Sequence, residues 1–179
     1  MKIRLPDHLA EKLTFQTYGP QPEIEGVFFQ PLKKHRDLNG AFMEYLRMTD
    51  GQADGLPTSF APAQVSVSWA SPDRINAFHL HPKVEQDEMW TVVQGTMLVQ
   101  LVDVREGSPT CGNARRFVLS GEAPGLLYIP TGVAHGYKAG PDGATLLYVM
   151  NDQFNIDDPN EGRLPWDVFG AELWEDDKG

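Results

Sequence analysis

Short β-patterned runs broken by glycine and proline limit this chain's folding choices more than any other feature. Val65-Ser-Val-Ser-Trp69 alternates apolar and polar residues, the period of a strand. Residues 74–81 carry Ile75, Ala77 and His79 on one parity. Met89–Val93, the pair Gln94-Gly95 and Met97–Val104 read as a hairpin. Arg116–Leu119, Leu126–Ile129, Gly136–Lys138 and Thr145–Met150 are further short strands. Turn residues separate them at Ser108-Pro109, Gly121, Gly125, Gly132 and Gly140-Pro-Asp-Gly143. Many short strands so spaced predict an all-β sandwich or barrel, with a jelly roll as its natural closure. Helix is expected only at the periphery. Residues Asp7–Leu13 predict one short helix, with Asp7 as N-cap and Leu9 and Leu13 on one face. Tyr18–Glu23 reads as a loop.

At 179 residues the chain can build one sizeable core. A single domain over 1–179 is expected, with an N-terminal arm (1–26), a barrel core (65–150) and a C-terminal segment (151–179). That last segment is acidic, and its Trp166 and Trp174 predict packing back onto the barrel. The formal charge of −10 opposes non-specific binding to nucleic acid or an anionic membrane. No apolar run approaches a membrane span, and Met1–Pro6 lacks the apolar core of a signal peptide. Cys111 is the lone cysteine, which excludes an internal disulfide. The expected compartment is the cytoplasm.

His79 and His81 are two apart, so a strand puts both imidazoles on one face. In a small barrel that face is the lumen. His135 sits in the block Ile129-Pro-Thr-Gly-Val-Ala-His-Gly136, and Glu88, just before the predicted strand Met89–Val93, is able to join them. Three of the chain's five histidines would then share one cavity. Such a pocket can carry out proton chemistry or hold a metal, and both readings stay open at this point.

Several blocks in order resemble the dTDP-4-dehydrorhamnose 3,5-epimerase family, a branch of the cupin jelly rolls. They are Ile24-Glu-Gly-Val27 with Asp37–Glu44, Phe78-His79, Val102–Gly112 and Ile129–Gly136, and the resemblance runs from about Ile24 to Trp174. It implies a cupin jelly-roll barrel with short peripheral helices, assembled as a homodimer and acting on a keto-deoxysugar or nucleotide-sugar. It implies that His79 is the base removing a proton beside the ketone. Asp167 would orient that base and Tyr148 would supply a proton on the other face of the ring. Phe42, Glu44, Asn76 and His135 would contact the substrate. This chemistry needs no cofactor.

The chain departs from the family at cationic positions. Asn76-Ala77 and Asn39-Gly40 stand where the family has Arg-Gly, and Gln86-Asp87-Glu88 where it has Gln-x-Lys. Asparagine cannot reproduce the charged, bidentate grip of arginine on phosphate. The basic run Lys33-Lys34-His35-Arg36 reads as a solvated loop; folded over the pocket mouth, it would restore that grip. His79-x-His81, Glu88 and Pro130-x-Gly-x-x-His135 are similar to the metal-binding cupin pattern instead. The alternative to the epimerase is therefore a divalent transition-metal site built from His79, His81, Glu88 and His135. A third reading is a non-catalytic sugar-binding barrel.

Overall fold

The computed structural model describes residues 3–15 and 19–176. Tyr18, where the expected loop begins, lies outside the described residues, as do 177–179 of the tail. A four-residue helix α1 (Asp7–Ala10) is followed by strands β1 (Phe28–Pro31), β2 (Lys34–Arg36), β3 (Ala41–Met43), β4 (Met48–Thr49) and β5 (Gln52–Ala53). The barrel strands are β6 (Gln64–Ala70), β7 (Ile75–Leu80), β8 (Glu88–Asp103), β9 (Ala114–Ser120), β10 (Gly125–Ile129) and β11 (Val133–Met150). A two-residue β12 (Gly162–Arg163) and a 3-10 turn (Ala171–Trp174) close the chain.

Eight strands form one antiparallel sheet ordered β1-β10-β8-β11-β7-β12, with β6 added on β11 and β9 on β8. Strands β8 and β11 run together from Val133↔Asp103 to Met150↔Glu88 and form the barrel's spine. The architecture is the expected all-β cupin jelly roll. No helix of the described residues is long and apolar enough to cross a membrane.

The two longest strands correct the expected hairpin. Gln94-Gly95 is not a reversal, because β8 continues through it, and Gly140–Gly143 lies inside β11. The register between these strands shifts between Ala139 and Ala144. Gly95 has φ 75°, and a Cβ there would lie 2.1 Å from the Gly143 carbonyl oxygen. The glycines thus bend a paired ribbon and do not end it. The N-terminal helix is also shorter than expected: Pro6 is the N-cap position, no side chain caps it and no residue is buried. Leu9 and Leu13 remain exposed.

Alternation along the strands sorts side chains into separate cores. On β8, Trp90 and Val92 join the largest cluster with Leu101, Leu127 and Leu146, while Met89 packs outward with Phe60, Leu126 and Tyr128. A third cluster centres on Phe78 and Trp174. Of the two tail tryptophans, Trp174 is buried, with its ring 5.3 Å from Phe78 and its Nε1–H donating to the Trp166 carbonyl at 2.8 Å, whereas the Trp166 side chain is exposed. Strand β6 inverts the usual pattern. Gln64 and Ser68 face a cavity, while Val65, Val67 and Trp69 face outward, Trp69 at 72% exposure.

Candidate active site

Cross-strand register assembles the site. Arg163 on β12 pairs with His79 on β7, and His79 pairs with His135 on β11. Deeper in the barrel, Trp90 on β8 pairs with Tyr148 on β11, and Tyr148 with Ser66 on β6. Inward members of these rows line a cavity of about 440 Å³. The register of β7 against β11 shifts between His135 and Tyr137. Asn76 and His79, of opposite parity, therefore both reach the cavity. Gly136 permits the close approach of these strands, since a Cβ there would lie 2.2 Å from the Ala77 Cβ.

His79, His81 and His135 do share this cavity, with ring centroids 5.9 Å apart for His79–His135 and 5.3 Å for His81–His135. His79 Nδ1 faces a Glu161 oxygen at 3.5 Å, and its Nε2 accepts from Arg163 Nη1 at 3.2 Å. Because an arginine only donates, Nε2 carries the lone pair and Nδ1 the proton. Arg163 also donates to Asn76 Oδ1 at 3.1 Å. A guanidinium from β12 thus stands beside the asparagine that occupies the family's arginine position. Contact with His79 holds the Glu161 carboxyl below its ordinary value, against the opposing effect of burial.

Glu88 is the buried carboxylate of this cavity, whereas Glu85 is exposed in the loop before β8. It accepts from Trp90 Nε1 at 2.6 Å and from Gln86 Nε2 at 2.9 Å. His81 Nε2 lies 3.0 Å from it and His135 Nε2 3.7 Å. Burial would raise the Glu88 pKa, but the His81 contact, then nearby His135 and the Trp90 N–H, outweigh it and hold the group at about 2. His135 is driven down to about 4, first by burial and then by the other two imidazoles, with Glu88 opposing. His81 moves the other way. Burial lowers it, but the Glu88 hydrogen bond and charge more than compensate, and its pKa is raised.

Tyr148 lines the cavity, and burial raises its pKa, so it is a phenol at neutral pH. Asp167 lies elsewhere. It is exposed in the turn before the final 3-10 segment, where its carbonyl accepts from Gly170 N at 2.9 Å. The carboxylate beside His79 is that of Glu161, which sequence reasoning missed, as it did Arg163. The one available signal was the acidic and basic pair flanking Gly162, but nothing local shows that this dipeptide step adds to β7. Phe42 and Glu44 also lie outside the cavity. Phe42 is exposed, and Glu44 pairs with Arg47 at 2.8 Å. The basic run does not cover the mouth either. It forms β2, where Lys34 donates to the Gly121 carbonyl and Arg36 pairs with Glu122.

A jelly-roll barrel with imidazoles, a phenol and a carboxylate around one cavity has the make-up of a cupin of the sugar-epimerase type. More particularly, residues 21–169 match the dTDP-4-dehydrorhamnose 3,5-epimerase family. The chain belongs to that family. It is 39% identical over 145 residues to the spore coat polysaccharide biosynthesis protein SpsL of Bacillus subtilis, covering 80% of this chain and 91% of that protein. Among solved structures it is similar to a dTDP sugar isomerase from Desulfovibrio desulfuricans, with TM-score 0.72, 25% identity and coverage of 84% of this chain and 92% of that one. It is also similar to the 3'-monoepimerase ChmJ from Streptomyces bikiniensis, solved with dTDP-quinovose. There the TM-score is 0.70 at 26% identity, covering 83% of this chain and 75% of that one.

Proposed function

We propose that this chain epimerises a 4-keto-6-deoxy sugar carried on a nucleoside diphosphate, with His79 as the catalytic base. The carrying observation is the His79 ring itself: it lines the cavity with its Nε2 lone pair held by Arg163 at 3.2 Å, while Nδ1 faces Glu161. A neutral imidazole of this kind removes a proton from the carbon beside a ketone. The electron pair moves onto the ketone oxygen to give an enolate, and Glu161 stabilises the imidazolium that forms. Glu161 is the positioning carboxylate in this reading, in place of Asp167. Tyr148, a phenol lining the same cavity, returns a proton to the opposite face and inverts the centre. These transfers need no cofactor. Arg163 must leave His79 Nε2 for the base to act, and its guanidinium then suits a substrate oxygen or the diphosphate. Asn76 steers Arg163, and His135 forms the cavity wall.

The nucleotide-linked substrate is supported by the dTDP-quinovose on the ChmJ structure and by the family match. A homodimer belongs to the same reading. Strand β6 pairs only with β11, and its outward Val65, Val67 and Trp69 are exposed, a face that a second copy would cover. Phe42 and Glu44 can act as substrate contacts only if that copy brings the β2–β3 hairpin to a cavity mouth. Proton NMR of a dTDP-linked 4-keto-6-deoxyhexose incubated with the protein should show a second epimer growing in. A sugar left unchanged at micromolar enzyme would reject the proposal.

A further inference from the structure

We infer that His81, Glu88 and His135 form a binding site for one divalent first-row transition cation, separate from the His79 base. Their ligand atoms all lie within 4.8 Å of one another, and all three residues are buried. Both rings are aimed from behind. His81 Nδ1–H donates to the Asn160 carbonyl at 2.6 Å, and His135 Nδ1–H to the Val133 carbonyl at 2.9 Å. A carbonyl only accepts, so each ring turns Nε2 toward Glu88. Imidazoles that ligate metals are held in this way. Gln86 and Trp90 fix the carboxylate in turn. His79 is excluded from the set, because its nitrogens face Glu161 and Arg163. The four-residue site expected from sequence thus contracts to three.

The same contacts could serve a plain buried ion pair between His81 and Glu88. Two observations favour a ligated cation. His135 Nε2 stands 3.7 Å from Glu88, too far for a hydrogen bond, and makes none with any other described residue. The buried Tyr137 hydroxyl on the same cavity wall has no partner either. An ion pair leaves His135 Nε2 free toward the cavity that it lines and the buried Tyr137 hydroxyl unmatched. A cation engages the first directly, and its water or ligand shell reaches toward the second. Two imidazoles and one carboxylate suit manganese, iron, cobalt, nickel or zinc and leave positions open to the cavity. Glu88 stands where the family has lysine, so a dication on it returns positive charge to that place. There it would polarise a substrate oxygen as a Lewis acid. That consequence rests on the epimerase reading; binding of the cation does not.

The test is optical titration of untagged, EDTA-stripped protein with Co2+. One equivalent should produce visible bands of nitrogen- and oxygen-coordinated Co2+, and Zn2+ should displace them. The bands should survive in His79→Ala and in a His8→Ala, His35→Ala control, which removes the two exposed histidines. Affinity should fall at least tenfold in His135→Ala, with Glu88→Gln as a second variant if that protein does not fold. Wild-type protein without bands, or unchanged affinity in a folded His135→Ala variant, overturns the site. Epimerisation by the stripped protein is scored in parallel. Bands without epimerisation count against the reaction alone, and epimerisation without bands counts against the cation alone.

Discussion

Glu161 and Asp167 are six residues apart, yet only the first reaches His79, at 3.5 Å. Glu161→Gln should therefore lower kcat by about 10²-fold or more with little change in KM, as expected when a base loses the charge that stabilises its protonated form. Glu161→Asp should recover part of that loss, and steady-state kinetics of Asp167→Asn should stay within about twofold of wild type. Equal losses in the two amide variants would contradict the assignment. Tyr148 has a separate signature. If it delivers a proton to the far face, Tyr148→Phe should still exchange solvent deuterium into the sugar through His79 while inversion slows about 10²-fold or more. Loss of both together would make Tyr148 structural.

At the scale of elements, the proposed chemistry rests on strands β7 and β11, which leave no room for a side chain where they meet at Gly136. Gly136 is the contact point, where an added Cβ would lie 2.2 Å from the Ala77 Cβ and 2.7 Å from its Cα. Neither atom can swing aside, so Gly136→Ala must part the strands. A cost of about 1–3 kcal/mol is expected from urea unfolding, together with loss of activity as His79 and His135 separate. An unchanged midpoint would show that the ribbon flexes freely there. This close pairing was only partly legible in the sequence. Parity put His79 and His81 on one face, and the strand spacing announced the barrel. The same parity rule turns Asn76 away, and only the family resemblance pointed to it; a register shift that no local residue marks brings it inward. Gly95 and the run Gly140-Pro-Asp-Gly143 signalled a change of direction, but only the partner strand decides between a turn and a bend. Glu161 and Arg163 were hidden for a related reason. Both are positioned by β12, two residues long, which holds Arg163 and directly follows Glu161 and whose place is set by the sheet edge and not by its own composition.

For the whole molecule, the buried imidazoles couple stability to pH. His135 is held at about 4 in the folded chain, mainly by burial, against 6.5 ordinarily. Between those values the unfolded chain binds more protons at this ring than the folded chain does. Stability therefore falls as pH drops from 6.5 to 4. Glu88, lowered from 4.5 to about 2, adds a further loss as pH falls below 4.5. His81 has the opposite sign: its raised pKa gives a contribution complete below 6.5 that fades as pH climbs through the folded value. Urea midpoints should thus decline from pH 6.5 to 4, and His135→Asn should flatten that decline if it folds. Parallel declines would mean that other groups dominate. The outward face of β6 makes its own prediction. Light scattering should report a dimer, and Trp69→Glu should shift it toward monomer, since a charge at a buried interface position opposes association.

The account depends most on His79 acting as a base toward the carbon beside a ketone. Solvent exchange reads that step directly, before any question of product. In D2O, wild-type protein should place deuterium at a carbon next to C4 of a dTDP-linked 4-keto-6-deoxyhexose, and folded His79→Ala should leave that carbon fully protiated. Exchange that continues at the wild-type rate in His79→Ala would contradict the account.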